Sequence, residues 1–161
     1  MSTPPKADPA IYSGLRENAL LRIRLQNLKD DSVHSVVVDW CAGNGTATVL
    51  AAADGTASIY LSSGGGFLGG GQRYPQIREA ALLAIHIATR LFSKFEPTDK
   101  TDLPPKGDVY FYLTTNGGLR LAVAKDSGLN AGTDPLVALW ATMQQVVTFY
   151  RLTSQPGHVS S

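Results

Sequence analysis

Three turn-forming dipeptides, each set between runs of residues typical of β-strands, constrain the fold of this chain more than any other feature. Asparagine or aspartate followed by glycine tolerates the positive φ angles of a type I′ turn, which joins two antiparallel strands through a two-residue loop. The three dipeptides are Asn44-Gly45, Asp54-Gly55 and Asn116-Gly117. The first two predict a three-stranded meander within residues 35–63, and the third predicts a hairpin over residues 108–125.

The position of each turn determines which residues lie opposite each other in the sheet. The first loop places Trp40 opposite Val49, and the second places Val49 opposite Tyr60. The third places Phe111 opposite Ala122. Because side chains alternate between the two sides of a strand, this register predicts a first face and a second face, both apolar. The first face would carry Val36, Val38, Trp40, Val49, Ala51 and Tyr60, and the second Val37, Cys41, Leu50, Ala52, Ile59 and Leu61.

Three helices are expected to pack on this sheet. Asp8-Pro9 and Asp134-Pro135 each combine an N-cap residue with a proline in the first helical position, and another helix begins near Pro75. Apolar residues then recur at the spacing of one helix face. The expected apolar positions are Ile11, Leu15, Leu21, Leu25 and Leu28 in the first helix, Ile77, Ala81, Ala84, Ala88, Leu91 and Phe95 in the second, and Leu136, Leu139, Met143, Val146 and Tyr150 in the third.

The predicted order of elements is α-βββ-α-ββ-α. We therefore predict one α+β domain over residues 1–152 with a five-stranded antiparallel sheet, helices packed on that sheet, a polar connector over residues 96–107, and a disordered tail over residues 153–161. This order resembles that of the type III secretion chaperones and related small bacterial regulators. Those proteins are dimeric and non-enzymatic and bind a partner chain, so the resemblance implies a protein-interaction or regulatory role.

Composition excludes several classes of function. A formal net charge of +1 at pH 7 provides no basic surface for nucleic acid or for an anionic membrane. No apolar run approaches the roughly 20 residues of a membrane span, and the first ten residues lack the apolar core of a signal peptide. Cys41 is the single cysteine, so no internal disulfide can form. We expect a cytoplasmic protein that binds neither nucleic acid nor membrane.

Residues 36–47, VVVDWCAGNGTA, resemble motif I of the methyltransferases that use S-adenosylmethionine. In those enzymes a strand runs into an acidic residue, here Asp39, and then into a glycine turn that opens a helix. Residues 46–53 instead alternate as a strand does, and Ser62 stands where a second acidic residue should hold the ribose. The hairpin interpretation is therefore preferred.

The run SSGGGFLGGGQRYP contains a glycine-rich loop, residues 64–71, between the meander and the second helix. Its letters match G-x-G-x-x-G, but six glycines among eight residues make that match nearly unavoidable, and the preceding strand is antiparallel. We favour a flexible connection. The alternative is a small-molecule anion or nucleotide site, in which backbone N–H groups and the helix start hold the anion. The residues of that candidate site are Gly69, Gly70, Gly71, Gln72 and Arg73.

No catalytic constellation and no metal-ligand spacing is present in the sequence, and no cofactor is expected. Asp39 is the only charged residue on the predicted second face and is expected to accept hydrogen bonds rather than to act as a base. Cys41 is expected to fill space, and His86 is expected to be partly buried. We therefore predict a non-enzymatic module.

The second helix is apolar almost all round from Ala80 to Ala88, AALLAIHIA, and such a helix must be covered on more than one side. The second face of the sheet also needs a cover, which is either the first helix or a second subunit. A monomer would leave residues such as Leu82, Leu83 and His86 facing water. We therefore expect a homodimer, and an unidentified protein partner is a further expectation.

Overall fold

A seven-stranded antiparallel sheet forms the centre of the computed structural model, which describes residues 9–21, 32–64, 66–67 and 74–154. The predicted antiparallel α+β fold is confirmed. The predicted number of five strands is wrong, because two strands of two residues extend the sheet at its edges. In chain order the strands are β1 (Val33–Ala42), β2 (Gly45–Ala52), β3 (Ala57–Leu61), β4 (Gly66–Phe67), β5 (Glu96–Pro97), β6 (Asp108–Thr115) and β7 (Gly118–Lys125).

Across the sheet the strands follow the order β4-β3-β2-β1-β6-β7-β5, so β1 lies in the middle. The meander β1 to β3 and the hairpin β6 to β7 are the two units that the turn dipeptides predict. The short strands were missed because β4 lies in the glycine-rich loop and β5 contains a proline, and both residue types are depleted in strands.

Four α-helices and one 3-10 turn surround the sheet in the described part of the chain. None of these helices combines the length and the apolar character that crossing a membrane requires. The short helix α3 was not predicted. The second helix was expected to extend to Phe95, but it ends at Arg90 and is followed by the 3-10 turn, and the connector contributes β5. The helices are α1 (Pro9–Leu21), α2 (Pro75–Arg90), α3 (Asp126–Ala131) and α4 (Val137–Ser154), and the 3-10 turn is Phe92–Lys94.

The start of α4 follows the predicted cap. α3 is capped at its C-terminus by Gly132, whose φ of +77° is the left-handed conformation common at helix C-termini. Asp134 Oδ1 then accepts a hydrogen bond from the backbone N–H of Leu136 at 2.8 Å. The last helix thus begins at Val137 and continues to Ser154, and residues 155–161 of the predicted tail lie outside the described residues.

Two of the three hairpins keep the predicted faces. In the β6–β7 hairpin Phe111 lies opposite Ala122, as predicted. In the β1–β2 hairpin the loop is Gly43-Asn44 rather than Asn44-Gly45, so Trp40 lies opposite Ala47. Gly43 has a φ of +62°, as a type II′ turn with glycine first requires. The pairing is shifted by two residues, which leaves each side chain on its predicted face.

The β2–β3 hairpin corrects the predicted register. Its loop has three residues, because Ala52 N–H donates to Thr56 O at 2.8 Å and Gly55, with a φ of +88°, closes the turn. Val49 therefore lies opposite Ile59 rather than Tyr60. A shift of one residue exchanges the faces of a strand, so the side chain of Ile59 joins the first-face core and Tyr60 joins the second.

Helices α2 and α4 cover the first face of the sheet. Trp40 of β1 meets Trp140 of α4 edge to face, with ring centroids 5.3 Å apart, and the Tyr150 hydroxyl donates to Ala57 O at 2.6 Å. The predicted apolar positions of the last helix are confirmed, since all five are buried: Leu136, Leu139, Met143, Val146 and Tyr150.

Helix α1 covers the second face within the same chain, which was one of the two expected covers. Its predicted apolar face is wrong in part, because Ile11 is 62% exposed. Leu25 and Leu28 lie outside the described residues. The cluster between α1 and the second face comprises Tyr12, Ala19, Leu20, Val37, Leu50, Tyr60 and Tyr112.

Two glycine substitutions test this fold in opposite directions. Gly14 is helical and exposed, and a Cβ there would meet nothing within 4 Å. We expect Gly14→Ala to raise the free energy of unfolding by about 0.5–1 kcal/mol. Gly66 has a φ of +146° and a Cβ there would lie 2.1 Å from Ile59 O, so we expect Gly66→Ala to lower it by about 1–2 kcal/mol. Urea denaturation measures both, and equal effects would contradict the pairing of β4 with β3.

Candidate functional site

A buried ion pair joins α1 to the second face of the sheet. Asp39 lies in the middle strand β1 and is fully buried. Arg16 Nη2 donates to Asp39 Oδ2 at 2.7 Å, and Arg16 Nε donates to the same oxygen at 3.1 Å. Arg16 is itself buried. The guanidinium thus supplies the opposite charge that a buried carboxylate needs.

The second carboxylate oxygen of Asp39 is satisfied from the neighbouring strand. Thr48 lies opposite Asp39 in the β1–β2 register, and its hydroxyl donates to Asp39 Oδ1 at 2.5 Å. The hydroxyl of Tyr12 lies 2.6 Å from Thr48 Oγ1. Because the threonine proton is used by Asp39, Tyr12 is the donor in this contact. A continuous series of hydrogen bonds therefore connects α1, β1 and β2.

The same arginine holds the connector that follows β5. Arg16 Nη1 donates to Thr101 O at 2.6 Å, and Arg16 Nη2 donates to Asp102 O at 3.0 Å. Asp102 O also accepts the hydroxyl proton of Tyr112 at 2.6 Å. We call Tyr12, Arg16, Asp39, Thr48 and Tyr112 the second-face network. The second-face network thus holds together α1, the β1–β2 hairpin, the connector and β6.

Burial sets the protonation behaviour of the second-face network. It raises the pKa of Tyr112 to about 12 and raises the pKa of Tyr12. Burial also raises the pKa of Asp39, and the hydrogen bonds from Arg16 and Thr48 oppose that rise. Burial lowers the pKa of Arg16, but the contact with Asp39 outweighs it and raises the pKa overall. Each partner thus depends on the other for its charge.

The second-face network has the features of a structural contact. Asp39 has no exposed surface and both of its oxygens accept hydrogen bonds, so it holds the fold together rather than meeting a substrate. The expectation that Asp39 accepts hydrogen bonds is confirmed. Within the described residues no group of three or more acidic, histidine or cysteine side chains could hold a metal ion.

Sequence reasoning missed Tyr12, Arg16 and Thr48 as partners of Asp39. A usable signal was present, because a single charged residue on an apolar face requires a partner of opposite charge. Arg16 follows Tyr12 by four positions, which places both on one side of a helix. Which cation would reach Asp39 depended on the packing of α1, which no local pattern specifies.

The predicted anion site cannot be placed in this geometry. Gly69, Gly70, Gly71, Gln72 and Arg73 lie outside the described residues, so that site stays a prediction. The described part of the loop forms a turn, in which Gly64 N–H donates to Leu61 O at 3.0 Å. A strand pairing of Gly66 with Tyr60 follows.

Two remaining candidates have simple surroundings. The Cys41 thiol is half buried and donates to Pro104 O at 3.7 Å, in keeping with the expected packing role. His86 is exposed on α2, so the expectation that it is partly buried is wrong. Its helix turns this position away from the sheet.

The exposed side of α2 is the second candidate site. Ile77, Ala80, Ala81, Ala84 and Ala88 are buried on the opposite side of the helix. On the exposed side Leu82 is 37% and Leu83 is 46% exposed. We call the exposed residues Glu79, Leu82, Leu83, His86 and Arg90 the outer face of α2.

Comparison with known proteins adds no neighbour to this description. No protein-family model matches the chain, no curated protein matches it, and no solved structure matches it.

Arg16→Met tests the second-face network. The substitution keeps the aliphatic volume but leaves the buried Asp39 carboxylate without its cation, so we expect the free energy of unfolding to fall by about 3–5 kcal/mol. Urea denaturation followed by circular dichroism measures the loss. The matched control is Arg78→Met, because Arg78 is exposed and makes one hydrogen bond, to Asp54 O. We expect Arg78→Met to lower the free energy of unfolding by about 0.5 kcal/mol or less. Equal losses in both variants would contradict the importance of the ion pair.

Alkaline unfolding tests the buried hydroxyl of Tyr112. Folding raises the pKa of this group from 10.0 to about 12. As the pH rises through that window, the unfolded chain loses the proton while the folded chain keeps it, so the wild-type protein loses stability. We expect the difference in the free energy of unfolding between the wild-type protein and Tyr112→Phe to decrease between about pH 9 and pH 11.5. Urea denaturation at about six pH values measures this difference. Tyr110→Phe, at a half-buried ring, is the control. A pH-independent difference for Tyr112→Phe would contradict the assignment.

Proposed function

We propose that this chain is a non-enzymatic protein-interaction module that forms a homodimer through the outer face of α2. The observation that carries the proposal is the exposure of Leu82 and Leu83 on a helix whose other side is fully packed. Adjacent exposed leucines on one helix face are typical of a surface that meets another chain.

Packing within the chain narrows the choice of interface. The first face of the sheet is covered by α2 and α4, and much of the second face is covered by α1. Apolar residues of both faces of the sheet, such as Val36, Val38 and Tyr60, are therefore buried inside one copy. Leu82 and Leu83 are exposed, as expected for a single copy. The outer face of α2 is therefore the helix surface that a second copy would bury.

Energetics favour a reversible assembly. Burying the exposed parts of four leucines, two from each copy, provides roughly 3–6 kcal/mol, which is offset by the loss of rotational and translational freedom. Half-buried Ile85 and Ile87 on the same helix add apolar area at the edges. Because that cost is at least as large as the gain from the leucines alone, we expect a weak association in which the dimer fraction rises with protein concentration.

A symmetric pairing supports this assignment over a mixed assembly. Twofold association brings the same surface of each copy together, and it is the commonest arrangement among soluble oligomers. Leu82 and Leu83 lie near the middle of α2, so the two copies bury them against each other without an open-ended contact. An unidentified further partner would then bind a dimer.

Light scattering with an interface variant and a matched control tests the proposal. As the concentration is raised to several hundred micromolar, the weight-average mass of the wild-type chain should rise from 17.1 kDa toward twice that value. Leu83→Glu should return it to 17.1 kDa, because a charge is then buried in the interface. Val123→Glu is the control, since Val123 is 51% exposed on β7 and away from α2. A wild-type mass of 17.1 kDa at every concentration, or loss of the dimer in Val123→Glu alone, would overturn the proposal.

A further inference from the structure

We propose that the two copies pair α2 antiparallel to α2, with Glu79 of each copy opposite Arg90 of the other. This inference rests on the proposed homodimer and goes beyond it by specifying the orientation and the register of the contact. Its basis is the distribution of charge on the outer face of α2. When two copies of this face pair in opposite directions, the acidic end of each helix meets the basic end of the other.

Glu79 and Arg90 lie at opposite ends of the exposed leucine pair. Arg90 follows Glu79 by eleven positions, which is three helical turns plus about 20°, so both point to the same side of α2 and lie about 16 Å apart along its axis. Both side chains are exposed. Neither Glu79 nor Arg90 belongs to the ion pairs found among the described residues, Arg16–Asp39 and Lys125–Asp108.

Symmetry then determines the other contacts. A twofold axis perpendicular to two antiparallel helices passes through one point of the contact. A residue that precedes this point in one helix then lies opposite the residue that follows it by the same number of positions in the other helix. With Glu79 opposite Arg90 of the second copy, Leu83 lies opposite His86 of the second copy. The leucines occupy the middle of the contact, and one Glu–Arg pair lies at each end.

A parallel pairing of the same faces is disfavoured by the same charges. It would bring Glu79 against Glu79 and Arg90 against Arg90, and like charges across an interface suppress an arrangement even when the apolar contact is unchanged. The leucines therefore provide affinity in either orientation, whereas the charges select the antiparallel one. Exposed pairs of this kind contribute little to affinity itself, so their main effect is on the register.

Disulfide cross-linking of mixed single-cysteine variants tests the register. In a Cys41→Ser background, Glu79→Cys and Arg90→Cys are oxidised separately and as an equal mixture, at a concentration where the wild-type chain is a dimer. We expect covalent dimers in the mixture and none in either variant alone. In an antiparallel pair the two cysteines of each single variant are about 16 Å apart, and a disulfide requires Cα atoms within about 7 Å. The mixed dimer also keeps one Glu–Arg pair.

The possible results separate the register from the proposed function. Adding Leu83→Glu to both cysteine variants is the control, and it should abolish the cross-link. Cross-linking of either single variant on its own would indicate a parallel pairing and overturn this inference. If the wild-type chain is a dimer but none of the samples forms a disulfide, the register is wrong while the proposed homodimer stands. If the wild-type chain is a monomer by light scattering, both the homodimer and the register fail.

Discussion

The ion pair between Arg16 and Asp39 is the contact on which the arrangement of the second face depends. A carboxylate in the central strand is tolerated there because two nitrogens of the guanidinium and one hydroxyl donate to it. The arginine has donors left over, and they hold the carbonyls of Thr101 and Asp102. One buried charge thus attaches both a helix and a connector to the sheet, and these segments close much of a surface that would otherwise be open to a partner.

Helix α2 lies on the other face of the sheet and has one side that remains exposed. Small alanine side chains let the helix lie close to the sheet and to α4, and its leucines are left on the other side. The absence of charge in the middle of the outer face and the presence of Glu79 and Arg90 near its ends are what a self-complementary contact requires. In this view the second-face network acts on association indirectly, because it limits the apolar surface that remains available to a second copy.

Local backbone chemistry explains which parts of the sheet were predictable. The loop at Asn116-Gly117 sits where its dipeptide places it, and the pairing of Phe111 with Ala122 follows. At Gly43-Asn44 an additional glycine competed for the turn and shifted the pairing by two residues. At Asp54 the side chain accepts hydrogen bonds from Thr56 and lengthens the loop, and this exchanged the faces of β3. Dipeptides therefore located the hairpins, whereas loop length decided the register.

The sequence by itself determined the five longer strands and the three longer helices, the meander, the later hairpin and the buried face of the last helix, because these follow from dihedral preferences and hydrophobic periodicity over a few residues. Only the tertiary structure decided that Arg16 meets Asp39, that the connector closes over that pair, and that α1 covers the second face. The physical reason is that a buried charge is stable only when donors converge on it in three dimensions, and here they come from α1 and β2, which are far apart in the chain.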